Sequence, residues 1–490
     1  MTHLRRGLRC PHSLAVLALS ACGTSGVAAG TDAAADATAT GKDAPTREHD
    51  AARDGAPHEA GARPADAERS DARVTDGHTE DTRVGDAGPA GFTADAFGLH
   101  ITSPSVAWPS VGFGGLRFWD NGTSWSDIQG VQAGTYDWTT FDAWFSEIGA
   151  HPPVKPLYTF GRTPKWAAGN PDAASPYGAG ESSPPLDIAT WNQFVTRIVQ
   201  RSVASTHARF EAYEMWNEPN DPEFWAGTVS QLEQLAASAY PIIHQNDSSA
   251  VVLNPPPSNI NPAGSGDGID WLDSYLATGA CAYADVVSVH GYLYADGTTC
   301  TYENADGGQT TSGACAEELV PNLAALKTML VNHPACAGKP LWISETSWGV
   351  SNGAPNLTDL TAQAAFLARY YLLALSSGVA RVYWYGWDYT PWGTLWDPTN
   401  GAHPAAVAYA QVIDWLTGAR FQAPCDAQGS VWTCALTEAD ASTALAAWTT
   451  GAEASFTVPA QYTHLRDLTG ATKAVAGPIE LESRPVLLVP

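Results

Sequence analysis

The chain predicts an α/β protein: a (β/α)8 TIM barrel with a small C-terminal β-sandwich domain. Three observations carry that expectation. Between residues 92 and 417, eight short runs rich in Val, Ile, Leu and aromatics alternate with stretches of helical period. Two runs lead into a glutamate, Glu218 in Tyr-Glu-Met-Trp-Asn-Glu-Pro-Asn (213–220) and Glu345 in Leu-Trp-Ile-Ser-Glu-Thr (341–346), and a barrel builds its site at strand C-termini. From residue 418 to 490 the helical period gives way to short β-branched and aromatic runs spaced by turns.

The strands expected are Phe97–Ile101, Gly115–Trp119, Val154–Phe160, Phe210–Asn217, Ala250–Asn254, Asp285–His290, Pro340–Ser344 and Ala380–Gly386. Helical period fills 137–149, 188–203, 229–245, 268–277, 317–332, 358–377 and 403–416. Residues 102–114 are too short and too rich in Pro and Gly for a helix, so the first connection is expected as a loop. In the C-terminal part, Val431-Trp432-Thr433, Ala444–Trp448, Ser455–Val458 and Val486–Val489 are the expected strands. With few aromatic clusters, this part reads as a structural companion of the barrel rather than a carbohydrate-binding module.

Ahead of the barrel the composition changes twice. Arg5, Arg6 and Arg9 precede the apolar run 14–19, a signal-peptide layout too short to span a bilayer. It ends in Leu19-Ser20-Ala21-Cys22, which has the form of a bacterial lipobox. Residues 1–21 are therefore expected as a lipoprotein signal peptide and Cys22 as the lipidated residue; the competing reading is an ordinary secretory signal. Residues 22–91, dominated by Ala, Asp, Gly, Thr, Arg and Pro, bury too little to offset chain entropy and are expected as a disordered tether. No other segment is long and apolar enough for a membrane helix, so the membrane is a partner only through the lipid. The expected location is the bacterial cell surface or a periplasmic membrane face, with plain secretion as the alternative.

Cysteine use agrees with export. Cys281, Cys300, Cys315, Cys336, Cys425 and Cys434 form an even set without metal-site spacing, so three disulfides are expected. Cys425 and Cys434 flank a turn at Gln428-Gly429 and should pair. The other four allow three pairings, of which Cys300 with Cys315 and Cys281 with Cys336 is the expected set. No cofactor and no metal site are expected. A formal charge of -26 disfavours nucleic acid and strongly acidic polysaccharide as partners and leaves a neutral glycan, bound by a monomer, as the best fit.

Two carboxyl groups facing one another across an anomeric carbon can break a glycosidic bond, one as proton donor and one as nucleophile. Glu218 would have to hold a proton at working pH, raised by burial or by its neighbour, and Glu345 would have to stay ionised. Arg117 is the natural stabiliser of that charge, with His290 or Tyr292 adding hydrogen bonds. Glu214, four residues before Glu218, reads as a barrel-interior carboxylate. Trp119, Trp125, Trp166, Trp225, Trp348, Trp387 and Trp392 are candidates for a sugar-stacking platform, about half of them as core or loop anchors instead.

The same residues carry a resemblance. Asn217-Glu218-Pro219 after the fourth strand and Glu345 after the seventh resemble the acid/base and nucleophile motifs of glycoside hydrolase clan A. Within that clan the chain is most similar to family 39, which includes β-xylosidases, α-L-iduronidases and bacterial exopolysaccharide glycosidases. Arg117, Thr163-Pro164-Lys165-Trp166, His290 with Tyr292, and Trp384 with Trp387 also match. The resemblance implies retention through a glycosyl-enzyme intermediate, with Glu218 and Glu345 as the catalytic residues. It implies Asn217 at the sugar 2-hydroxyl, and Arg117, His290, Tyr292, Trp166, Trp384 and Trp387 as substrate-binding. The alternative is a surface glycan-binding lipoprotein that has lost turnover; the intact set Arg117, Asn217, Glu218 and Glu345 favours the enzyme. Specificity is expected to reside in the loops 170–186, 254–268 and 292–317.

Overall fold

The computed structural model describes residues 91–261, 268–293, 300–303, 308–312, 315–348, 359–389 and 394–490. The leader, Cys22, the tether up to residue 90 and Trp392 lie outside them.

Among the described residues the barrel region holds β1 (Phe97–Leu99), β2 (Gly115–Phe118), β3 (Lys155–Thr159), β4 (Ala212–Glu214), β5 (Val251–Leu253), β6 (Val287–His290), β7 (Cys300–Glu303), β8 (Gln309–Ser312), β9 (Leu341–Thr346) and β10 (Arg381–Trp384), and a short ribbon of Trp396–Asp397 with Gly401–Ala402 follows. Of β1 to β10, all but β7 and β8 make one parallel sheet in the order β5-β4-β3-β2-β1-β10-β9-β6. A parallel bridge between Leu253 and Val286 joins its two edges and closes the barrel. All eight expected strands are present, several trimmed at their ends. The fourth stops at Glu214 rather than Asn217, because Trp216 (φ 144°) and Glu218 (φ 46°) leave the extended region. The seventh runs on to Thr346, since pairing with β6 (His290 with Glu345) and with β10 (Trp384 with Thr346) continues to that end.

Seven of the helices follow the period read from the sequence: α2 (Thr139–Ala150), α3 (Ile188–Ala204), α4 (Val229–Asn246), α5 (Gly268–Leu276), α6 (Leu319–Leu330), α7 (Leu360–Ser376) and α8 (Pro404–Leu416). An unanticipated short helix, α1 (Trp125–Gln129), starts at a capping box in which Ser124 and Asp127 satisfy one another's backbone. In α3, Asp187 accepts from Thr190 N at 2.7 Å to cap the first turn. Its buried face is Trp191, Phe194, Val195, Ile198, Val199 and Ser202, spaced three and four apart. Helix α7 is buried without interruption from Ala362 to Leu375, because C-terminal residues cover the side turned away from the barrel. Cys425 N, for example, donates to Ser376 Oγ at 3.3 Å.

Alternation along the strands stacks two layers inside the barrel. Leu157, Ala212, Leu253, Val286, Trp342 and Tyr383 form an apolar floor. Two residues further along β3, β4, β6 and β9 come Thr159, Glu214, Ser288 and Ser344, all buried and polar. A strand returns to the same face every second residue, so one step of register separates hydrophobic plug from functional layer.

The C-terminal part is an antiparallel sheet of seven strands with a two-stranded ribbon, Ala454–Phe456 paired with Ile479–Leu481, beside it. The four expected strands are there, joined by further short ones at 420–421, 426–428, 464–466, 472–474 and 479–481. Trp448 reaches back to the barrel, donating from Nε1 to Glu317 Oε1 at 2.7 Å. Arg369 on α7 pairs with the same carboxylate, Nε to Oε1 at 2.8 Å, beneath the β7–β8 hairpin.

The disulfides join Cys281 to Cys336, Cys300 to Cys315 and Cys425 to Cys434, across separations of 55, 15 and 9 residues. In the loop-entropy picture the longest contributes about 4 kcal/mol and the shortest about 2.5 kcal/mol. Among the described residues no helix is long and apolar enough to cross a membrane.

Candidate active site

Arg117 stands at the centre of the polar layer, fully buried on β2. Its Nε donates to Glu214 Oε2 at 2.7 Å, Nη1 to Glu345 Oε2 at 2.6 Å and Nη2 to Asn217 Oδ1 at 2.8 Å. Burial works against its charge, but Glu214, Glu345 and Glu218 outweigh that and hold its pKa above the ordinary value. Glu214 is in turn satisfied by Thr159 Oγ1 at 2.9 Å and Ser288 Oγ at 2.8 Å. It is the buried structural carboxylate expected of it, and it locks the guanidinium that orients the others.

Glu345 lies within β9, its side chain 8% exposed. Besides Arg117 on Oε2 it accepts the Tyr292 hydroxyl on Oε1 at 2.7 Å. Burial raises this carboxyl above the ordinary range, opposed by His290, Arg117 and the Tyr292 hydrogen bond. Glu218 follows β4 with a side chain 13% exposed. Burial first, then Asp221 and Asp120 acting against Arg117, push it up to about 8. Both carboxyls are thus raised by burial, and Glu345 is the one whose charged form is met by Arg117 and the Tyr292 hydroxyl.

His290 at the end of β6 bridges the pair. Burial, reinforced by Arg117, brings its pKa down to about 4, so the ring is neutral near pH 7. Its Nε2 faces the donor Arg117 Nη2 at 3.3 Å and its Nδ1 faces Glu218 Oε1 at 2.8 Å. A neutral imidazole next to a guanidinium must accept at Nε2, so the network assigns the proton to Nδ1, donated to Glu218 Oε1. Glu218 Oε2 is then the atom left to carry the exchangeable proton. A carboxylate oxygen of Glu218 and one of Glu345 lie within 4.8 Å of each other, so the two carboxyls face the same small volume at the barrel mouth.

Glu218, His290 and Glu345 also have the ligand types and spacing of a cation site. The residues fit such a role poorly: Arg117 already occupies Glu345 Oε2 as its counter-cation, and His290 Nδ1 is committed to Glu218. Cys300, Cys315 and Glu317 form a second such group, but both sulfurs are in a disulfide.

Strain concentrates at this end of the barrel. Asp120, Arg162, Trp216 and Glu218, which follow β2, β3 and β4, all have positive φ without being glycine. Each costs on the order of 1 kcal/mol, and such positions cluster where a fold aims side chains at a site.

The tryptophans depart from the expectation. Trp384 and Trp387, expected to bind substrate, are fully buried and belong to the hydrophobic core cluster. Trp166 is partly exposed but its indole is tied to Gln129 O at 2.6 Å, anchoring the loop after β3 to α1. Trp119, Trp125, Trp225 and Trp348 are buried as well; Trp125 stacks on Phe194 and Trp348 sits edge-on to Phe366. Instead, Tyr177 and Phe224 are the partly exposed rings near the site, the former edge-on to Trp119 with Arg162 over its face at 4.3 Å. Sequence reasoning missed Thr159, Ser288, Asp120 and Tyr385. The first two were signalled by the strand period: Thr159 is in register with Glu214, and Ser288 comes two residues after Val286 of the apolar floor.

The closed parallel barrel sets paired carboxyls at the ends of its fourth and seventh strands around a buried arginine, and in fold the chain is similar to glycoside hydrolases of family 39. The chain matches no family profile over its length. A β-xylosidase of Geobacillus stearothermophilus is 25% identical over 224 residues, 44% of this chain and 42% of that enzyme, so the match spans less than half of the relative's length. A family 39 glycoside hydrolase of Bacteroides cellulosilyticus WH2 shares the fold with a TM-score of 0.60, at 20% identity over 81% of both chains. A family 39 β-xylosidase of Caulobacter crescentus does so with a TM-score of 0.53, at 18% identity over 83% of this chain and 97% of that one.

Proposed function

We propose that this protein is a retaining glycoside hydrolase acting on a neutral poly- or oligosaccharide, with Glu345 as nucleophile and Glu218 as general acid and base. The observation that carries this reading is the pair of opposed carboxyls, oxygens within 4.8 Å, one protonated near neutral pH and the other held by Arg117 and Tyr292. In the first step Glu345 attacks the anomeric carbon and forms an ester, while Glu218 gives its proton to the departing glycosidic oxygen. In the second, Glu218 takes a proton from water, whose oxygen displaces Glu345 with overall retention. Arg117 fixes Asn217 by binding Oδ1, which leaves Nδ2 to donate to the sugar 2-hydroxyl, a contact that strengthens as the oxocarbenium-like transition state forms.

The test is sugar release from β-xylosides, xylans, arabinans, galactans and neutral β-glucans, with proton NMR of the first anomer formed. An inverted anomer would overturn the nucleophile role. The free-enzyme acid has its pKa near 8, so kcat/KM should fall as pH rises through about 8, and Glu218→Gln should lack that limb. A flat profile from pH 7 to 9 in the wild type would remove Glu218 from the acid role.

We further propose export and lipid anchoring through Cys22, supported by the leader layout and the three disulfides. Labelled palmitate should enter the wild-type chain and not Cys22→Ala. Equal labelling of both would sink the anchor.

A further inference from the structure

The two catalytic glutamates divide the barrel mouth into two arcs. On one, β6 brings His290, with Tyr292 beyond it; on the other lie β10, β1, β2 and β3. That second arc carries a polar cluster which none of the steps above uses. Asp120 follows β2, Tyr385 follows β10 and His100 follows β1, three strands adjacent in the sheet. The Tyr385 hydroxyl donates to Asp120 Oδ2 at 2.7 Å, and the Tyr177 hydroxyl bonds the same carboxylate. The Tyr385 ring packs edge-on against His100 with centroids 4.9 Å apart. His100 Nε2 faces the carbonyl of Ser344 at 3.2 Å and must donate to it, so Nδ1 is a bare acceptor, buried and without a partner among the described residues.

Within this cluster the groups left open to a ligand, the Asp120 carboxylate and His100 Nδ1, are acceptors. A carboxylate has about four lone-pair positions, and two phenols leave Asp120 with capacity to spare. Asp120 is partly exposed, held at φ 56°, and near enough to Glu218 for its charge to act on that carboxyl. The two arginines at this end are spent. Arg117 holds Glu214 and Glu345, and Arg162 holds Glu181 at 2.6 Å and Asp127 at 3.2 Å. Sugar hydroxyls, which donate, match such a wall. A uronate carboxylate has no proton to give at neutral pH and would face the Asp120 charge with both of those arginines already engaged.

We propose that Asp120, set in place by Tyr385, is a specificity-determining residue that reads the hydroxyl groups of the sugar held between Glu218 and Glu345 and confines the site to neutral glycones. This rests on the glycosidase reading.

Asparagine tolerates the left-handed backbone of Asp120, so Asp120→Asn keeps the local fold and removes only the charge and one acceptor. The probes are the 4-methylumbelliferyl β-xyloside, β-glucoside, β-galactoside and β-glucuronide, and for binding the free sugars xylose, glucose, galactose and glucuronate, titrated by NMR. In Asp120→Asn, kcat/KM on the preferred neutral glycoside should fall roughly 10- to 100-fold, the worth of a hydrogen bond to a charged group. Its ratio to the glucuronide should collapse by a similar factor. Tyr385→Phe should move the same ratio in the same direction, by less. A merely structural role would lower all substrates alike and leave the ratio unchanged, which overturns the proposal, as does a wild type that prefers the glucuronide. Wild-type binding of a neutral sugar, weakened in Asp120→Asn, with no hydrolysis of any probe, would sink the glycosidase reading and leave the wall standing. Failure of the wild type to bind or cleave any neutral probe overturns the wall.

Discussion

Replacing Glu345 with glutamine should abolish turnover, with kcat falling on the order of 10^4-fold or more while the melting temperature stays within a few degrees of wild type. In the proposed mechanism this change removes the covalent route itself, and no remaining group in the polar layer can substitute for it. The fold should tolerate the change because the amide can satisfy both neighbours. Its oxygen replaces Oε2 as acceptor for Arg117 Nη1, and its NH2 meets the Tyr292 oxygen, which can accept as well as donate. Glu345→Gly should recover part of the rate on an aryl glycoside when azide is supplied, giving the glycosyl azide of inverted configuration. An unchanged rate in Glu345→Gln would remove the residue from the chemistry. Loss of activity together with loss of the folded state would mean the substitution had tested stability instead.

The largest stability effect is expected at Arg117. Arg117→Met leaves Glu214 with no counter-charge and strips Glu345 and Asn217 of a donor, all in a layer sealed from water. Removing one partner of a buried charge pair costs roughly 3–5 kcal/mol, measurable by urea unfolding of the whole protein. Adding Glu214→Gln to Arg117→Met should restore part of that loss, because it removes the uncompensated charge while the amide oxygen accepts from one of the Thr159 and Ser288 hydroxyls and the amide NH2 donates to the other. The pH dependence follows with a definite sign. Arg117 lowers the pKa of Glu345, so without it that carboxyl takes up a proton at higher pH, and any residual activity should have its ascending limb displaced upward. A stability loss below about 1 kcal/mol would show that the arginine's charge is not what holds the layer together.

Several parts of the architecture were legible because they rest on local rules. Strand and helix alternation follows from hydrophobic period, and a barrel of this kind places its site at the strand ends whichever loops decorate it. The disulfide at Cys425 and Cys434 was legible from the turn between them, whereas Cys281 and Cys336, 55 residues apart, could only be chosen among alternatives. What misled was aromatic content. A tryptophan near a strand end looks the same in a sequence whether it faces sugar or core, and Trp125, Trp348, Trp384 and Trp387 face the core. Large rings fill the wedge between barrel and helices, and that demand for volume outweighs their use as sugar platforms.

From the sequence alone came the class of fold and the choice of Glu218, Glu345 and Arg117 as candidates, because those depend on periodicity and on short motifs whose chemistry is intrinsic to the residues. The tertiary structure alone decided which donors meet each carboxyl, which tautomer His290 adopts, and that Asp120, Tyr385 and His100 share one wall. Those depend on distances between residues separated by up to 285 positions, such as Tyr385 and His100. Burial and the field of neighbouring charges set a pKa, and neither exists until the chain has closed the barrel around it.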